Sequence, residues 1–359
     1  MAVIEKKYCC VYNKESCNIR RSGNMSEKKI AVLGCGMWGR NVVRNFYNLN
    51  ALGMVCDLDE ENLAKVKEQY PGVKTTKDFN DILNNPDIMG TVVVTPSHTH
   101  FKFVKALLNS GKHVYVEKPI STVAQEARDL ADLAESKGLV LMVGHLLLYH
   151  PAVNRLKMLI EEGELGDIVY AQSDRLNINY FKNDRSVMWD LAPHDVSMIS
   201  YVLGKDPKKV ISAVGCSTDR NDIMDITHIT IEMEGGAMAQ VSDSWITPKK
   251  HVQLLVRGTK KTAIMDDTLP ENKLTIYDNF KANSGENIAC DYLEIEPLKL
   301  ECQHFINCCE TGKKARSDGE NGFIVVSILE EAEKKMLGDR AKNLDKVDYA
   351  LSRTKKKKQ

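Results

Sequence analysis

The sequence has no excess of charge of either sign, because its 359 residues include 49 Lys and Arg and 49 Asp and Glu. Without such an excess there is no long-range attraction toward nucleic acid or an anionic membrane surface. The longest apolar stretch, GLVLMVGHLLLY, is too short to span a bilayer and contains His145. We therefore expect a globular protein with neither a nucleic-acid nor a membrane partner.

Ten cysteines are present, but their spacing forms neither a disulfide framework nor a CxxC pair. Cys35 and Cys56 lie in apolar strand contexts, where a thiol behaves as a small hydrophobic side chain. This usage predicts a reducing, cytoplasmic location. His98 and His100 lack an accompanying set of Cys or carboxylate residues at ligand spacing, so no metal site is predicted.

The two ends of the sequence differ from its middle. Residues 1–27 show no apolar periodicity and no segment typical of a signal peptide, and we expect a poorly ordered extension. Residues 339–359 end in SRTKKKKQ, which predicts a solvated basic tail. The remaining length suits two domains, which we place at residues 28–148 and 149–338.

The first predicted domain alternates short apolar runs with helical patterns. KKIAVLG, GMVCD, MGTVVVTP, KHVYVEKP and LVLMVG have the length and composition of buried strands. Strands separated by helices predict a parallel, doubly wound sheet. Ligands of such sheets bind beyond the carboxyl ends of the strands, where GCGMWG, TPSH, EKP and GH are found.

Three glycines follow the first predicted strand in the pattern G-x-G-x-x-G. Gly34 permits a tight turn, Gly36 lets the backbone approach a pyrophosphate, and Gly39 lets helix and strand pack closely. The helix N-terminus supplies free N–H groups for phosphate oxygens. The pattern alone is weak, but its strand–loop–helix context predicts a dinucleotide site, whose other loop residues are Cys35, Met37 and Trp38.

Asp57 ends the second predicted strand about 20 residues after the glycine loop, where a carboxylate binds the adenosine ribose hydroxyls. The alternative is a helix-capping role before EENL, and Asp59 is a second candidate for the ribose. A carboxylate at this position repels the additional phosphate of NADP. The predicted cofactor is therefore NAD rather than NADP.

Two further loops carry polar residues to the same edge of the sheet. We expect Thr95 and Pro96 to lie along the cofactor, and we include His100, although capping or packing explains it equally well. In EKP, Lys118 is expected to bind a substrate hydroxyl oxygen and favour its alkoxide-like form. Glu117 is either a salt-bridge partner or a contact of the nicotinamide ribose.

The stretch MWDLAPHD combines an acid and an imidazole four residues apart. Pro193 is tolerated only in the first turn of a helix, so we expect a helix from Trp189 or Asp190 to Leu203. Asp190 and His194 then share one face. A lone helical histidine is usually structural, but histidine is also the commonest acid–base group near neutral pH.

GCGMWG, TPSHTH…GKHVYVEKP and WDLAPHD together resemble the glucose–fructose oxidoreductase and inositol dehydrogenase family, over residues 28–336. The resemblance implies a Rossmann domain followed by an α+β domain with a large open, mostly antiparallel sheet. The other face of that sheet is expected to mediate a homodimer or homotetramer. It also implies that Lys118, Asp190 and His194 are the catalytic residues of an NAD-dependent dehydrogenase.

Beyond Asp167, runs such as DIVYAQSDRLNI, DITHITIEME and HVQLLVRGT read as strands separated by turns rather than helices. A largely antiparallel sheet is therefore expected here. The candidate substrate contacts are Tyr149, Arg175, Asn177 and Arg185. Either arginine has the geometry to bind a diphosphate, although surface or interface roles are equally compatible with the sequence.

Within the family, GHLLLYHPAVNRLKMLIEEGELGDIVYAQSDRLN and SDSWITPKKHVQLLVRG are similar to sugar-nucleotide dehydrogenases. The resemblance implies oxidation of UDP-N-acetylglucosamine at carbon 3. A myo-inositol or other sugar or polyol dehydrogenase is one alternative, and a glycosidase that retains its NAD is another. A non-catalytic NAD-binding regulator is disfavoured, because it needs neither Lys118 nor His194.

Overall fold

The computed structural model describes residues 29–178, 185–218, 223–288 and 296–338. The first domain alternates strands and helices in chain order: β1 (Lys29–Leu33), α1 (Gly39–Asn48), β2 (Leu52–Cys56), α2 (Glu60–Gln69), β3 (Lys74–Thr76), α3 (Asn80–Leu83), β4 (Ile88–Val93), α4 (His100–Asn109), β5 (His113–Glu117), α5 (Ala124–Ser136) and β6 (Leu141–Gly144).

These strands form a six-stranded sheet in the order β3-β2-β1-β4-β5-β6, with every pairing parallel. The predicted doubly wound sheet is therefore confirmed. Its central strands are buried on both faces, as β4 illustrates, because helices cover both sides of a parallel sheet. Strand β3 was not predicted, since its three residues contain no apolar run.

The second domain follows a 3₁₀ turn at Leu146–Tyr149. Its elements are α6 (Pro151–Glu161), β7 (Ile168–Ile178), α7 (Val187–Leu203), β8 (Pro207–Cys216), β9 (Ile226–Met233), β10 (Met238–Ser244), β11 (Ile246–Gly258), β12 (Lys261–Asp266), β13 (Leu274–Asp278), β14 (Glu286–Asn287), α8 (Pro297–Thr311) and α9 (Gly319–Leu337).

The eight strands of this domain form one sheet in the order β14-β13-β12-β11-β7-β10-β9-β8. All neighbours pair antiparallel except β7 and β10, which run parallel. The expectation of a large, mostly antiparallel sheet is therefore confirmed. Helix α7 covers one face, while Val169, Ile211 and Val214 are exposed on the strands. Assembly through the sheet stays a prediction.

Helix α8 returns to the first domain. Its Phe305 ring meets Phe46 edge-on at 6.4 Å between centroids and Tyr115 at 5.8 Å, and it belongs to the core of the parallel sheet. The expected range 149–338 placed this helix with the second domain. None of the described helices has the length and apolarity that crossing a membrane requires.

Candidate active site

The glycine loop has the geometry that its three glycines predict. Gly34 has φ +95°, and a Cβ there would lie 2.6 Å from the carbonyl oxygen of Val94. A Cβ on Gly39 would lie 2.2 Å from the carbonyl oxygen of Gly34. At Gly36, by contrast, a Cβ would meet nothing within 4 Å. The fold itself requires the outer two glycines, whereas the middle one leaves open space where a phosphate group fits.

The carboxylate of Asp57 is fixed against this loop. It accepts hydrogen bonds from the backbone N–H of Cys35 at 2.6 Å and of Asp59 at 2.9 Å. Asp59 instead caps helix α2, because its side chain accepts from the N–H of Glu61 at 2.8 Å. The capping role that was considered for Asp57 therefore belongs to Asp59, and Asp57 remains the candidate for the ribose.

Two large side chains of the glycine loop face outward. Met37 is 91% exposed and Trp38 is 40% exposed. The indole Nε1 of Trp38 donates a hydrogen bond to Oε1 of Glu117 at 2.7 Å. This bond joins the loop that is expected to hold the pyrophosphate to the loop that carries Lys118.

His100 is buried in the interior, whereas the sequence placed it among the contacts of the cofactor. Its ring is buried, and its two nitrogens lie 2.8 Å from the carbonyl oxygens of Thr95 and Pro119. Burial lowers the pKa of the imidazole. Contact with the cofactor is therefore the wrong role for His100, which instead fixes the loops carrying Thr95, Pro96 and Lys118.

Lys118 connects the two domains. Its ammonium donates to the backbone carbonyl of Asp190 at 2.6 Å and lies 3.7 Å from Oδ1 of the same residue. Both side chains are largely buried, which strengthens the attraction because water screens it less. The EKP loop thus contacts the first turn of helix α7.

Helix α7 begins at Val187, two or three residues earlier than predicted, so Pro193 lies in the second turn rather than the first. The earlier start is explained by Val187, which is buried in an apolar cluster with Trp245. Asp190 is buried and His194 is partly buried, and their spacing of four residues places them on one face.

Arg175 does not present a free cation to a diphosphate. Its guanidinium makes two hydrogen bonds of 2.9 Å to the carboxylate of Asp195, which is completely buried and also accepts from Ser173 at 2.6 Å. Although burial lowers the pKa of Arg175, Asp195 offsets this and raises it overall. The ion pair joins β7 to α7 and favours a structural role for Arg175, whose contact with a substrate stays a prediction.

Tyr149 also lies in the interior rather than in the cleft. Its hydroxyl donates to the sulfur of Met142 at 3.9 Å, and the guanidinium of Arg316 stacks 4.9 Å from its ring centroid. The side chain is buried, and burial raises its pKa. Tyr149 does lie between the last strand of the first sheet and helix α6, but this packing does not support a contact between Tyr149 and a substrate.

The other two predicted substrate contacts are Asn177 and Arg185. Asn177 is two residues beyond Arg175 on β7, so it shares the strand face that α7 covers. Arg185 precedes α7, and its charge contributes, after burial, to the lowered pKa of His100 at the start of α4. Their contact with a substrate stays a prediction.

The sequence did not single out two buried groups near Lys118. His145, at the carboxyl end of β6, is fully buried, and burial followed by the charge of Lys118 lowers its pKa to about 3. Glu301, on α8, is buried, and burial followed by the charge of Glu117 raises its pKa well above the ordinary value. The GH pair at a strand end was a visible signal for His145, whereas the amphipathic pattern of α8 gave none for Glu301.

Within the described residues, no group of three or more His, Cys, Asp or Glu side chains is arranged to hold a metal ion. The open cradle at Gly36, the Asp57 carboxylate and the Trp38–Glu117 bond instead form one continuous edge of the parallel sheet. The carboxyl edge of a doubly wound parallel sheet is where such sheets bind dinucleotides, so these groups stay the candidates for the cofactor.

Two family models match the chain and together cover well over half of it. Residues 28–145 match an oxidoreductase family with an NAD-binding Rossmann fold. Residues 153–264 match the GFO/IDH/MocA C-terminal domain.

Curated relatives and solved structures extend the likeness. The chain is 26% identical to scyllo-inositol 2-dehydrogenase (NAD(+)) of Bacillus subtilis (strain 168), covering 79% of this chain and 87% of that protein. It is 24% identical to UDP-N-acetylglucosamine 3-dehydrogenase of Acidithiobacillus ferrooxidans, covering 84% of this chain and 95% of that protein. A solved structure of the latter matches with a TM-score of 0.77 at 23% identity, over 87% of this chain and 98% of that chain, which shows the shared fold.

Proposed function

The chain belongs to the GFO/IDH/MocA family of NAD-dependent oxidoreductases, and from that premise we propose that it oxidises a secondary hydroxyl of a sugar nucleotide. The preferred substrate is UDP-N-acetylglucosamine, with oxidation at carbon 3. The enzyme class follows from the family, whereas the substrate and the roles of individual residues are part of the proposal.

The contact between Lys118 and the carbonyl of Asp190 is the observation that carries the residue roles. In a regular α-helix, the carbonyl of residue 190 faces the N–H of residue 194. Lys118 therefore contacts the same helical turn that carries His194. In this proposal the ammonium of Lys118 and the imidazole of His194 act on the same substrate hydroxyl at the nicotinamide end of the cofactor.

When NAD is bound, it supplies the hydride acceptor at carbon 4 of its nicotinamide ring. His194 accepts the proton of the substrate hydroxyl as a general base, which is typically worth about 100- to 10,000-fold in rate. Lys118 donates a hydrogen bond to the same oxygen and stabilises its developing negative charge. Asp190 holds the ammonium of Lys118 in place through the 3.7 Å ion pair and orients the first turn of α7.

On the cofactor side, the loop residues Gly34, Cys35, Gly36, Met37, Trp38 and Gly39 surround the pyrophosphate in this proposal. Asp57 binds the adenosine ribose, and Thr95 with Pro96 lines the path toward the nicotinamide. Glu117 contacts the nicotinamide ribose.

The sugar-nucleotide preference is supported by the similarity to UDP-N-acetylglucosamine 3-dehydrogenase over nearly the whole length of that protein. Arg185, which precedes α7, is the proposed diphosphate contact, and Asn177 on β7 is a proposed sugar contact. The similarity to scyllo-inositol 2-dehydrogenase favours a second candidate, the oxidation of a free polyol.

The test is an assay of UDP-N-acetylglucosamine, its uronate and myo-inositol with NAD, followed by the absorbance of NADH. Faster NADH formation with either sugar nucleotide supports the proposal. Faster NADH formation with myo-inositol favours the second candidate, the oxidation of a free polyol. Glycoside cleavage without net NADH formation would instead identify a glycosidase that retains its cofactor.

The roles in the site are tested with His194→Asn. We expect turnover to fall by about 100- to 10,000-fold while NAD affinity stays within twofold, because only general-base help is lost. The matched control is His251→Asn, which makes the same change at a histidine that is 41% exposed on β11. Normal turnover in His194→Asn rejects the assignment.

A further inference from the structure

One side-chain hydrogen bond connects the glycine loop to the loop that carries Lys118. The indole Nε1 of Trp38 donates to Oε1 of Glu117 at 2.7 Å. Strand β4 stands between β1, which leads into the glycine loop, and β5, which ends at Glu117. Neighbouring strands are about 4.8 Å apart, so the ends of β1 and β5 are separated by about 10 Å. A long side chain such as that of tryptophan is therefore needed to join the two loops.

The backbone of β6 holds the carboxyl group of Glu117 from a second side. Glu117 and Gly144 pair in register at the carboxyl ends of β5 and β6. A Cβ on Gly144 would lie 3.1 Å from the carboxyl carbon and from each carboxyl oxygen of Glu117. The carboxyl group therefore packs against a position that glycine leaves open, and the indole of Trp38 fixes one of its oxygens. Contacts from two other elements thus set its orientation.

The bond has a defined direction, because an indole N–H only donates and an ionised carboxylate only accepts. Burial raises the pKa of Glu117, and the hydrogen bond from Trp38 is the first of the effects that lower it, followed by the charge of Lys118. The bond therefore favours the ionised form of Glu117. Since a carboxylate accepts several hydrogen bonds, Glu117 keeps the capacity to accept further bonds from hydroxyl groups.

Trp38 differs from the other two tryptophans of the sequence in its exposure. Its side chain is 40% exposed, whereas Trp189 is 4% exposed and Trp245 is completely buried. A tryptophan that serves the core is buried, and its replacement by a smaller side chain leaves a cavity. An exposed ring at the edge of the glycine loop has no such role, so we expect Trp38→Phe to fold normally.

We propose that Trp38 is a positioning residue for the cofactor: its indole holds the Glu117 carboxylate where that group accepts hydrogen bonds from the hydroxyls of the nicotinamide ribose. The inference rests on the contact between Glu117 and this ribose that is part of the proposed function, and it is independent of which sugar or polyol is oxidised. A carboxylate that is already oriented loses less conformational freedom when the ribose binds. Trp38 therefore contributes affinity for every ligand that contains this second ribose.

The experiment is calorimetric titration of the full-length protein with ADP, ADP-ribose and NAD. ADP ends at the pyrophosphate, ADP-ribose adds the second ribose, and NAD adds the nicotinamide. In Trp38→Phe, which keeps an aromatic ring but has no N–H, we expect the affinities for ADP-ribose and NAD to fall by about tenfold, the effect of one hydrogen bond to a charged group. The affinity for ADP is expected to stay within about twofold of the wild type.

Glu117→Ala is expected to weaken ADP-ribose and NAD at least as much as Trp38→Phe does, again without an effect on ADP. The double variant Trp38→Phe/Glu117→Ala is expected to lose no further affinity, because Trp38 acts through the carboxylate that is already removed. Trp189→Phe is the matched control, since the indole of Trp189 donates a comparable bond of 2.9 Å to Glu333 on α9. Its affinities for all three ligands are expected to equal those of the wild type.

An equal loss of affinity for ADP in Trp38→Phe overturns the inference, because Trp38 then shapes the pyrophosphate site. A loss confined to NAD also overturns it, because the ring then acts on the nicotinamide, and so do additive losses in the double variant. If Glu117→Ala weakens ADP-ribose but Trp38→Phe does not, the ribose contact of Glu117 stands and only the positioning role fails. Unchanged ADP-ribose affinity in Glu117→Ala refutes the ribose contact itself. Substrate turnover enters none of these readouts, so an incorrect substrate leaves the test intact.

Discussion

Replacing Asp195 with Asn tests whether Arg175 serves the protein interior. The side chain of Asp195 is completely buried, and it makes both 2.9 Å hydrogen bonds to the Arg175 guanidinium. Breaking a buried ion pair costs about 3–5 kcal/mol, because the remaining charge has no partner. The large cost follows from burial, since exposed pairs contribute only about 0–1 kcal/mol.

A nearby acid, Asp243, reduces the loss of unfolding free energy that we expect from Asp195→Asn. Asp243 stands in register opposite Arg175 on the neighbouring strand, and burial followed by the charge of Asp195 raises its pKa. Once Asp195 is an amide, that repulsion is gone and Asp243 can ionise beside the guanidinium. We therefore expect Asp195→Asn to lower the free energy of unfolding by about 3 kcal/mol, the lower end of the range. The double variant Asp195→Asn/Asp243→Asn has neither carboxylate beside Arg175, so we expect its free energy of unfolding to fall further.

The assay is urea unfolding followed by tryptophan fluorescence, which reports on α7 because Trp189 belongs to this helix and Trp245 packs against its start. Asp167→Asn is the matched control, since it makes the same change at an exposed residue directly before β7, and we expect a change within about 0.5 kcal/mol. Replacing both Arg175 and Asp195 with Leu is expected to cost less than either single charge removal, because no buried charge remains.

The reasoning is refuted by the opposite pattern. If Arg175→Leu leaves the free energy of unfolding unchanged but raises the KM for a sugar nucleotide at least tenfold, the guanidinium binds substrate, as the sequence first indicated. A structural role instead predicts a loss of stability with little change in the KM of the folded enzyme.

Three other perturbations address the cofactor site. Gly39→Ala should lower both the melting temperature and the affinity for NAD, since its Cβ would lie 2.2 Å from the Gly34 carbonyl oxygen. Gly36→Ala should keep the melting temperature and lower only the affinity for NAD, because its Cβ meets nothing within 4 Å. Equal melting temperatures for the two variants contradict this reasoning. Asp57→Asn should raise the ratio of NADP to NAD in kcat/KM, because the repulsive carboxylate is removed; an unchanged ratio assigns cofactor choice to another residue. Lys118→Met should lower kcat at least 100-fold with NAD affinity retained, measured by turnover and calorimetry, and an effect confined to NAD affinity contradicts its role toward the substrate oxygen.

The parallel sheet and the glycine loop were predictable because their signals are local. A short apolar run indicates a buried strand. Gly34 and Gly39 are required because a side chain at either position would collide with backbone atoms. Strand β3 was missed because Lys74–Thr76 has the composition of a turn. The early start of α7 was missed because Val187 is held by Trp245, which is distant in sequence.

The errors concern residues whose partners are remote. Arg175 pairs with a residue 20 positions away on another element, and His100 bonds to a carbonyl 19 positions away. Residue type reveals that a guanidinium or an imidazole is present, but it does not reveal which acid or carbonyl the fold brings to it. The sequence therefore did not show that Asp195 holds Arg175 or that Arg316 stacks on Tyr149.

This difference explains why the sequence specifies the cofactor more firmly than the substrate. The proposed adenosine and pyrophosphate contacts lie in a short segment from Gly34 to Asp57, which a hydrogen bond between Cys35 and Asp57 joins. The proposed substrate contacts lie on the EKP loop, the end of β7 and the start of α7, and the contact between Lys118 and Asp190 joins the first of these to the last. Because Asn177 and His194 lie on β7 and α7, a change in the packing of these two elements would move both proposed substrate groups. If the proposed contacts are right, exchanging single cleft residues without repacking that helix is expected to lower activity rather than redirect it.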